Sequence, residues 1–172
     1  MNKAKFQKKQ LILFIIGGVL FITGLSIISF YGVRKICRDI NRQKMMKENV
    51  VIEISDLKIK APVLEGTGND ILAKAVGHFE NTGTVGHGNY CIAGHSSVIY
   101  KEYFNELKNA QIGMEINLYD ISKKCYVYKV AEMFIVEPNE VWILNDFGDN
   151  RLTLVTCTDD GLQRQIIVAK ME

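Results

Sequence analysis

The feature that most constrains this chain is an uncharged apolar run near its start. Residues 11–31 read LILFIIGGVLFITGLSIISFY and contain no charged side chain. Their length suits a helix that crosses a bilayer, which needs roughly 20 residues. A signal peptide has a shorter apolar core and a cleavage site of small residues, and a helix packed on a globular core keeps a polar face. The run has neither the short core and cleavage site of a signal peptide nor the polar face of a packed helix, so it predicts an uncleaved membrane anchor.

The anchor divides the rest of the chain into segments. Residues 1–10 form a short basic tail, which we expect in the cytoplasm, and the polar residues 32–48 indicate a helical stalk. Residues 49–172 remain for one domain. Basic residues mark the cytoplasmic side of a membrane, but both flanks are basic here, so charge alone leaves the orientation open. A net charge of +2 with 23% charged residues is ordinary for a globular protein and argues against nucleic-acid binding.

The segment after residue 49 has the pattern of a β domain. Short runs rich in β-branched residues, several of them alternating apolar and polar positions, predict strands. Short helices are predicted at 68–79, with Asn69 or Asp70 as a cap, and at 100–109. Many short strands with few helices indicate an all-β domain that forms a closed or nearly closed barrel. The predicted strands are 51–54, 57–63, 89–94, 114–120, 125–136, 152–157 and 164–170.

The last two predicted strands bring a cysteine and an arginine together. Six residues, TDDGLQ, separate Cys157 from Arg164. In an antiparallel hairpin the two residues stand about opposite each other on one face, with Cβ atoms roughly 5 Å apart. The guanidinium is permanently charged and favours the thiolate, and its N–H groups suit a developing oxyanion. Asp159 and Asp160 in the connecting loop are expected to face solvent.

A histidine follows the predicted strand 89–94. Gly94 permits a tight exit from that strand, so the His95 imidazole can stand at the rim of the barrel. A histidine near a cysteine can take the thiol proton or protonate a leaving amine, but these patterns do not establish that the two residues meet. His87 lies among glycines and is expected to be exposed, and His78 is expected to pack or bond locally.

These motifs together resemble the sortase family. The segment TLVTC ends at Cys157, Arg164 follows shortly, and the upstream strand ends in Ala-Gly-His at His95. The resemblance covers roughly residues 49–172 and implies an eight-stranded β-barrel. It implies that Cys157 is the nucleophile, that His95 is the general acid and base, and that Arg164 binds the oxyanion and the substrate. No cofactor is implied.

The resemblance also implies a substrate and a location. Sortases cut an LPxTG-like sorting signal of surface proteins between Thr and Gly, and transfer the resulting thioester to an amine, usually of a peptidoglycan precursor. The enzyme is expected in the cell membrane of a Gram-positive organism, single-pass, with residues 49–172 outside. Thr156, Trp142 and Ile143 are candidate substrate contacts, although core packing explains Trp142 and Ile143 equally well.

The subclass rests on a second set of motifs. PVLEGT at 62–67 and the Gly-His run at 77–82 look like class D. Class B is the runner-up, and the absence of a lid motif and of a C-terminal membrane helix argues against class C. Gly-His-Ser-Ser follows strand 89–94 where many relatives have Gly-His-Arg.

Other functions are less consistent with the sequence. Papain-like and NlpC-type peptidases have their cysteine before their histidine, and the cysteine motif of L,D-transpeptidases does not occur. A membrane-anchored, non-catalytic β-barrel binding module would leave TLVTC and Arg164 unexplained. Cys91 and Cys125 are interpreted as structural residues, and the histidine spacing does not match a metal site. The acidic run 145–150 is interpreted as a turn, since it lacks EF-hand spacing.

Overall fold

The structure is a computed structural model that describes residues 3–97 and 102–171, with side chains from residue 15 onward in those ranges. The chain divides into two compact units, Met1–Gln43 and Lys44–Glu172. The first unit is helical and the second contains the β domain, as the sequence predicts.

A single helix, α1 (Lys3–Glu48), covers the predicted anchor and stalk. The stretch Ile15–Glu48 is long and apolar enough to cross a membrane, judged by length and composition. Its large apolar side chains are exposed. The hydroxyls of Thr23 and Ser26 donate to carbonyls of the preceding turn at 2.9 and 2.8 Å. Their polar groups are therefore satisfied within the helix, as an apolar environment requires.

Eight strands among the described residues form a closed barrel, with the order β1-β2-β3-β4-β7-β8-β6-β5. The pairs β2–β3 and β4–β7 are parallel, and the other neighbours are antiparallel. The predicted all-β barrel is therefore confirmed. The strands are β1 (Val50–Ile54), β2 (Ile59–Glu65), β3 (Val76–His78), β4 (Asn89–Ala93), β5 (Glu115–Tyr119), β6 (Cys125–Val136), β7 (Arg151–Cys157) and β8 (Arg164–Met171).

Two separate apolar clusters lie on the two faces of the sheet. Side chains alternate between faces along a strand, and in β7 Leu152 and Leu154 belong to the large interior cluster. Val155 belongs to a smaller cluster with Ile143 and Ile166. This second cluster lies on the outer face of β7 and β8, beneath the β6–β7 loop, residues 137–150. That loop covers the sheet next to the end of β7 and the start of β8.

The predicted helix at 68–79 is wrong beyond its first turn. A short helix α2 (Asn69–Leu72) begins after Gly68, which occupies the cap position without a side-chain bond, and β3 follows. A Cβ on Gly77 would lie 2.2 Å from the Gly66 carbonyl oxygen, so only glycine permits this approach of β3 to the chain beside it. Pairing with β2 and β4 therefore overrides the local helical pattern.

The predicted helix at 100–109 is shorter in the structure. Its described part contains a 3₁₀ helix at Asn105–Asn109, while Tyr100 lies outside the described residues. Phe104 and Leu107, which suggested helical spacing, are fully buried in the interior cluster. This segment therefore packs its apolar side chains into the barrel core.

Candidate active site

The cysteine and the arginine end adjacent strands. Cys157 is the last residue of β7, Arg164 is the first residue of β8, and the two are register partners. The predicted pairing across the hairpin is thus confirmed. Val155 and Ile166 pair two residues further along and belong to the outer cluster. Alternation therefore assigns Cys157 and Arg164 to the same outer face.

His95 reaches the same place by way of β4. Ala93 pairs with Val155 in parallel register, and the Gly94 N–H donates to the Val155 carbonyl at 3.0 Å. His95 and Cys157 each lie two residues beyond that pair, so continuing the register brings them side by side. Three neighbouring strands, β4, β7 and β8, thus bring the three predicted catalytic residues to one end of the sheet.

A close contact fixes the backbone of His95. A Cβ on Gly94 would lie 2.4 Å from the ring of Phe104, so the ring lies directly against the strand. The Phe104 N–H donates to the His95 carbonyl at 3.1 Å. The Thr156 hydroxyl donates to the Gly94 carbonyl at 2.9 Å and is buried. Thr156 thus supports the site from inside the barrel, and its contact with substrate stays a prediction. The helical spacing of Phe104 in the sequence gave no signal of this role.

The Arg164 guanidinium lies along the β7–β8 loop, residues 158–163. Its Nη1 donates to the carbonyls of Gln163 and Gly161 at 3.0 and 3.4 Å. Both acceptors are neutral, so they do not neutralise the positive charge of the guanidinium. The side chain is half-buried, so a negatively charged ligand can reach it by displacing carbonyl contacts.

The two aspartates of the β7–β8 loop are exposed, as predicted. A hydrogen bond from the Thr158 hydroxyl holds the pKa of the Asp160 carboxyl below its ordinary value. Asp160 also accepts the Leu162 N–H at 3.1 Å, which closes a turn within the loop. Asp159, by contrast, lines a groove that also contains Cys157.

A groove of about 470 Å³ passes Cys157. Across it, the Lys108 ammonium donates to both carboxylate oxygens of Asp159 at 3.0 and 2.9 Å. The ion pair joins the 3₁₀ segment that follows His95 to the loop that follows Cys157. Nothing in the sequence pattern signalled Lys108. The groove is lined by Lys108, Met133, Phe134, Ile135, Cys157, Thr158, Asp159 and Gln165.

The two apolar candidates for substrate contact have different environments. Ile143 is buried in the outer cluster, whereas Trp142 is 44% exposed. The Trp142 ring stacks on Phe134 with centroids 5.7 Å apart and meets Phe147 edge-on at 6.4 Å. Because Phe134 also lines the groove, Trp142 extends an apolar surface from the groove wall to solvent.

The four cysteines are free and differ in accessibility. Cys91 is fully buried, and this burial raises the pKa of its thiol to about 12. It is therefore a thiol at neutral pH and a poor nucleophile, as its structural interpretation requires. Cys37 and Cys125 are exposed. Among the four, Cys157 is half-buried at the end of a strand and beside the groove.

The other two histidines behave as predicted. His78 is buried, its Nδ1 lies 2.9 Å from the Glu65 carboxylate, and its ring stacks on Tyr90 with centroids 4.2 Å apart. His87 is exposed in a turn in which its N–H donates to the Thr84 carbonyl. Neither lies at the end of β4 or β7. Within residues 3–97 and 102–171, no three His, Cys, Asp or Glu side chains gather in a way suited to a metal ion.

Comparison with known proteins assigns the chain to a family. The family model described as the sortase domain matches residues 52–172. The chain belongs to the sortase family. The match begins within β1 and extends through β8, so Cys157, His95 and Arg164 all lie in the matched sortase domain.

Related sequences agree with this assignment. The sortase domain is 37% identical over 128 residues to a protein named sortase A of Streptococcus agalactiae, covering 70% of this chain and 51% of that protein. It is 26% identical over 122 residues to sortase A of Bacillus anthracis, covering 70% of this chain and 58% of that protein. The chain thus spans little more than half the length of these relatives.

Solved sortase structures have the same barrel. A Clostridium perfringens sortase D5 transpeptidase is 30% identical with a TM-score of 0.66, over 78% of this chain and 88% of that one. A pilus-related sortase C of Group B Streptococcus is 26% identical with a TM-score of 0.68, over 73% and 68% of the two chains. The eight-stranded sortase barrel expected from the sequence is thereby confirmed.

Proposed function

We propose that this chain is a membrane-anchored cysteine transpeptidase. It cleaves an LPxTG-like sorting signal between Thr and Gly and transfers the acyl part to a cell-wall amine. The observation that carries the proposal is that three strand ends lie next to one another. Cys157 pairs with Arg164, and His95 and Cys157 each lie two residues beyond the paired residues Ala93 and Val155. Membership of the sortase family supports the same chemistry.

The first half of the reaction forms an acyl-enzyme. The Cys157 sulfur attacks the carbonyl carbon of the scissile peptide bond, and a tetrahedral oxyanion develops. His95 protonates the leaving amine as the C–N bond breaks, and a thioester remains on Cys157. A half-buried thiol beside an open groove suits this step, because the peptide must reach sulfur while bulk water is partly excluded.

Arg164 stabilises the developing negative charge in this proposal. Its guanidinium now donates to the Gly161 and Gln163 carbonyls. An oxyanion is a stronger acceptor than a neutral carbonyl, since hydrogen bonds that involve ions are roughly twice as strong as neutral ones. Arg164 therefore exchanges loop carbonyls for the reacting oxygen, and its preference for the transition state contributes to the rate.

The second half of the reaction transfers the acyl group. A primary amine attacks the thioester, the C–S bond breaks, and the thiolate recovers a proton through His95. Water in place of the amine gives hydrolysis. Trp142 and Ile143 are proposed to line the path of the apolar part of the sorting signal. The exposed ring of Trp142 suits direct contact, Ile143 lies beneath it in the outer cluster, and Thr156 lines the site from within.

We propose class D for this sortase. The support is the PVLEGT segment at 62–67, the Gly-His run at 77–82 and the 30% identity to a Clostridium perfringens sortase D5 transpeptidase. Curated relatives named sortase A share 37% and 26% identity with the chain over shorter matches. The proposal of class D rests on the two motifs and on the identity to the sortase D5 transpeptidase.

We further propose that residues 11–31 anchor the chain in the cell membrane, with residues 1–10 in the cytoplasm, 32–48 as a stalk and 49–172 outside. The support is the length and apolar character of α1. The acceptor is then a peptidoglycan amine, and the donors are surface proteins that carry the sorting signal.

The test is an assay of the purified chain with a panel of LPxTG-like peptides and a primary-amine acceptor, with products separated by chromatography. We expect both a cleavage product and a transfer product that require Cys157. Cys157→Ala should abolish both products, whereas Cys91→Ala, a matched removal of a buried thiol, should keep them. A Cys157→Ala variant with more than trace activity would end this proposal.

A further inference from the structure

The groove beside Cys157 contains an ion pair that the mechanism above does not use. The Lys108 ammonium lies 2.9 and 3.0 Å from the two carboxylate oxygens of Asp159. Asp159 is two residues beyond Cys157 in the chain, and both partners of the pair line the same groove as Cys157. The contact therefore lies in the groove that passes Cys157.

Asp159 is suited to bind a cation in this groove. It is the sole carboxylate among the described residues that line the groove, while the other walls are formed by apolar and neutral side chains apart from Lys108. Its exposed carboxylate already holds a primary aliphatic ammonium through both oxygens. Lys108 is thus chemically the same kind of group as an amine acceptor.

We infer that Asp159 is a specificity-determining residue that receives the acceptor amine, and that Lys108 occupies its carboxylate until the acceptor displaces it. This inference rests on the proposed function, since it concerns the second substrate of the same site. An aliphatic amine is an ammonium ion in neutral water, so a carboxylate at the groove raises its local concentration beside the thioester.

The exchange is feasible because the ion pair is exposed. The side chains of Lys108 and Asp159 are 46% and 54% exposed, and exposed ion pairs contribute little to stability. After the exchange the bound ammonium loses a proton to His95 or to solvent. The neutral amine attacks the thioester carbonyl, the C–S bond breaks, and the Cys157 sulfur leaves as the thiolate and is protonated.

The experiment measures how the acyl-enzyme partitions between water and an amine. A sorting peptide with glycinamide as the amine probe gives both the transfer-to-hydrolysis ratio and the KM for the amine. We expect Asp159→Asn to raise the amine KM about tenfold, as loss of a charged contact does. Lys108→Met, which removes the internal competitor, should lower it about threefold. Added salt should raise the amine KM of the wild-type protein but not that of Asp159→Asn.

The matched control is Glu140→Gln, which removes one negative charge from the neighbouring β6–β7 loop without touching the groove, and it should leave the amine KM unchanged. If the wild-type acyl-enzyme forms and Asp159→Asn has the wild-type amine KM, the assignment of Asp159 is overturned and the transpeptidase proposal stands. If Lys108→Met raises the amine KM, Lys108 binds substrate and the assignment is overturned. A wild-type protein that forms no acyl-enzyme overturns the proposed function and this inference with it.

Discussion

Substitutions of Arg164 can separate the contribution of its hydrogen-bond geometry to the rate from the contribution of its charge. Arg164→Lys keeps the positive charge but loses the planar set of N–H donors. We expect both Arg164→Lys and Arg164→Ala to stay folded and to lose roughly 10²–10³ in kcat, because a donor aimed at the oxyanion is missing. Steady-state transpeptidation assays check this, with circular dichroism as the folding control. Normal activity in Arg164→Lys would mean that charge alone matters.

The histidines test whether strand register selects the right acid and base. His95 lies two residues beyond the Ala93–Val155 pair, as Cys157 does, whereas His87 is exposed in a turn before β4. We expect His95→Ala to lower the rate at least 10²-fold, the low end of the contribution of a general acid or base. His87→Ala should remain within about twofold of wild type because surface substitutions have small effects. An inactive His87→Ala beside an active His95→Ala would contradict the proposed site.

The individual residues were accessible to sequence reasoning to different degrees. Cys157 and Arg164 stand at fixed offsets in one hairpin, so local spacing was sufficient to pair them. His95 follows another strand, β4, and the family motif was required to connect it with Cys157. Lys108 and Phe104 reach the site through tertiary packing, which no local periodicity encodes. The ion pair of Lys108 with Asp159 and the contact of Phe104 with Gly94 were therefore identified from the structure and not from the sequence.

At the scale of the elements, the end of β4 depends on one close contact. The Gly94→Ala methyl group would meet the Phe104 ring at 2.4 Å. We expect about 1–3 kcal/mol of destabilisation from this overpacking. Activity should fall further than unfolding explains, because the strand that carries His95 must shift. Chemical denaturation and assays at a temperature where the variant is folded check both parts.

The companion variant to this prediction is the double substitution Gly94→Ala with Phe104→Leu, which makes room for the methyl group. It should recover part of the activity lost in Gly94→Ala, in the manner of coupled neighbours. No recovery, together with unchanged activity in Gly94→Ala alone, would mean that His95 does not depend on this contact.

The start of β7 is fixed by an ion pair that should make stability depend on pH. Arg151 Nη2 donates to the Asp149 carboxylate at 2.6 Å, and this hydrogen bond lowers the pKa of Asp149 below its ordinary value of 3.8. A carboxyl with a lowered pKa in the folded state stabilises the protein above its unfolded pKa. That stabilisation is lost as the pH falls through the folded pKa.

Replacing the carboxylate should expose this dependence. We expect Asp149→Asn to lower Tm by about 2–4 °C at pH 7, and the difference from wild type to disappear near pH 2. Glu140→Gln serves as the charge-matched control and should show no such pattern. A difference in Tm that persists unchanged at low pH would show that the effect of Asp149 is not ionic.

The elements illustrate why sequence patterns succeed for long strands and fail for short ones. The residues of β6, β7 and β8 form runs of 12, 7 and 8 residues that are rich in apolar and β-branched side chains, and the prediction of these strands is confirmed. β3 has three residues and follows a helical turn. Its state is decided by pairing with β2 and β4 and by the approach of Gly77 to Gly66. Such long-range contacts leave little local signal.

At the scale of the whole molecule, the chain combines an apolar helix with a sortase barrel. The helix was evident from composition, because an uncharged run of that length has few other uses. The orientation of the helix in the membrane was not evident, since both flanks are basic and the charge rule needs a difference in basic residues between them. The location of the barrel outside the cell therefore remains a proposal that rests on its family.

The most direct test of Cys157 as the nucleophile is intact-protein mass spectrometry of the enzyme mixed with an LPxTG-like peptide in the absence of an amine. The predicted result is an adduct with the mass of the peptide up to its Thr, mapped to Cys157. Hydroxylamine, which cleaves thioesters, should remove it, and the adduct should be absent in Cys157→Ala but present in Cys91→Ala. Peptide cleavage with no adduct, or with the adduct on another residue, would contradict Cys157 as the nucleophile.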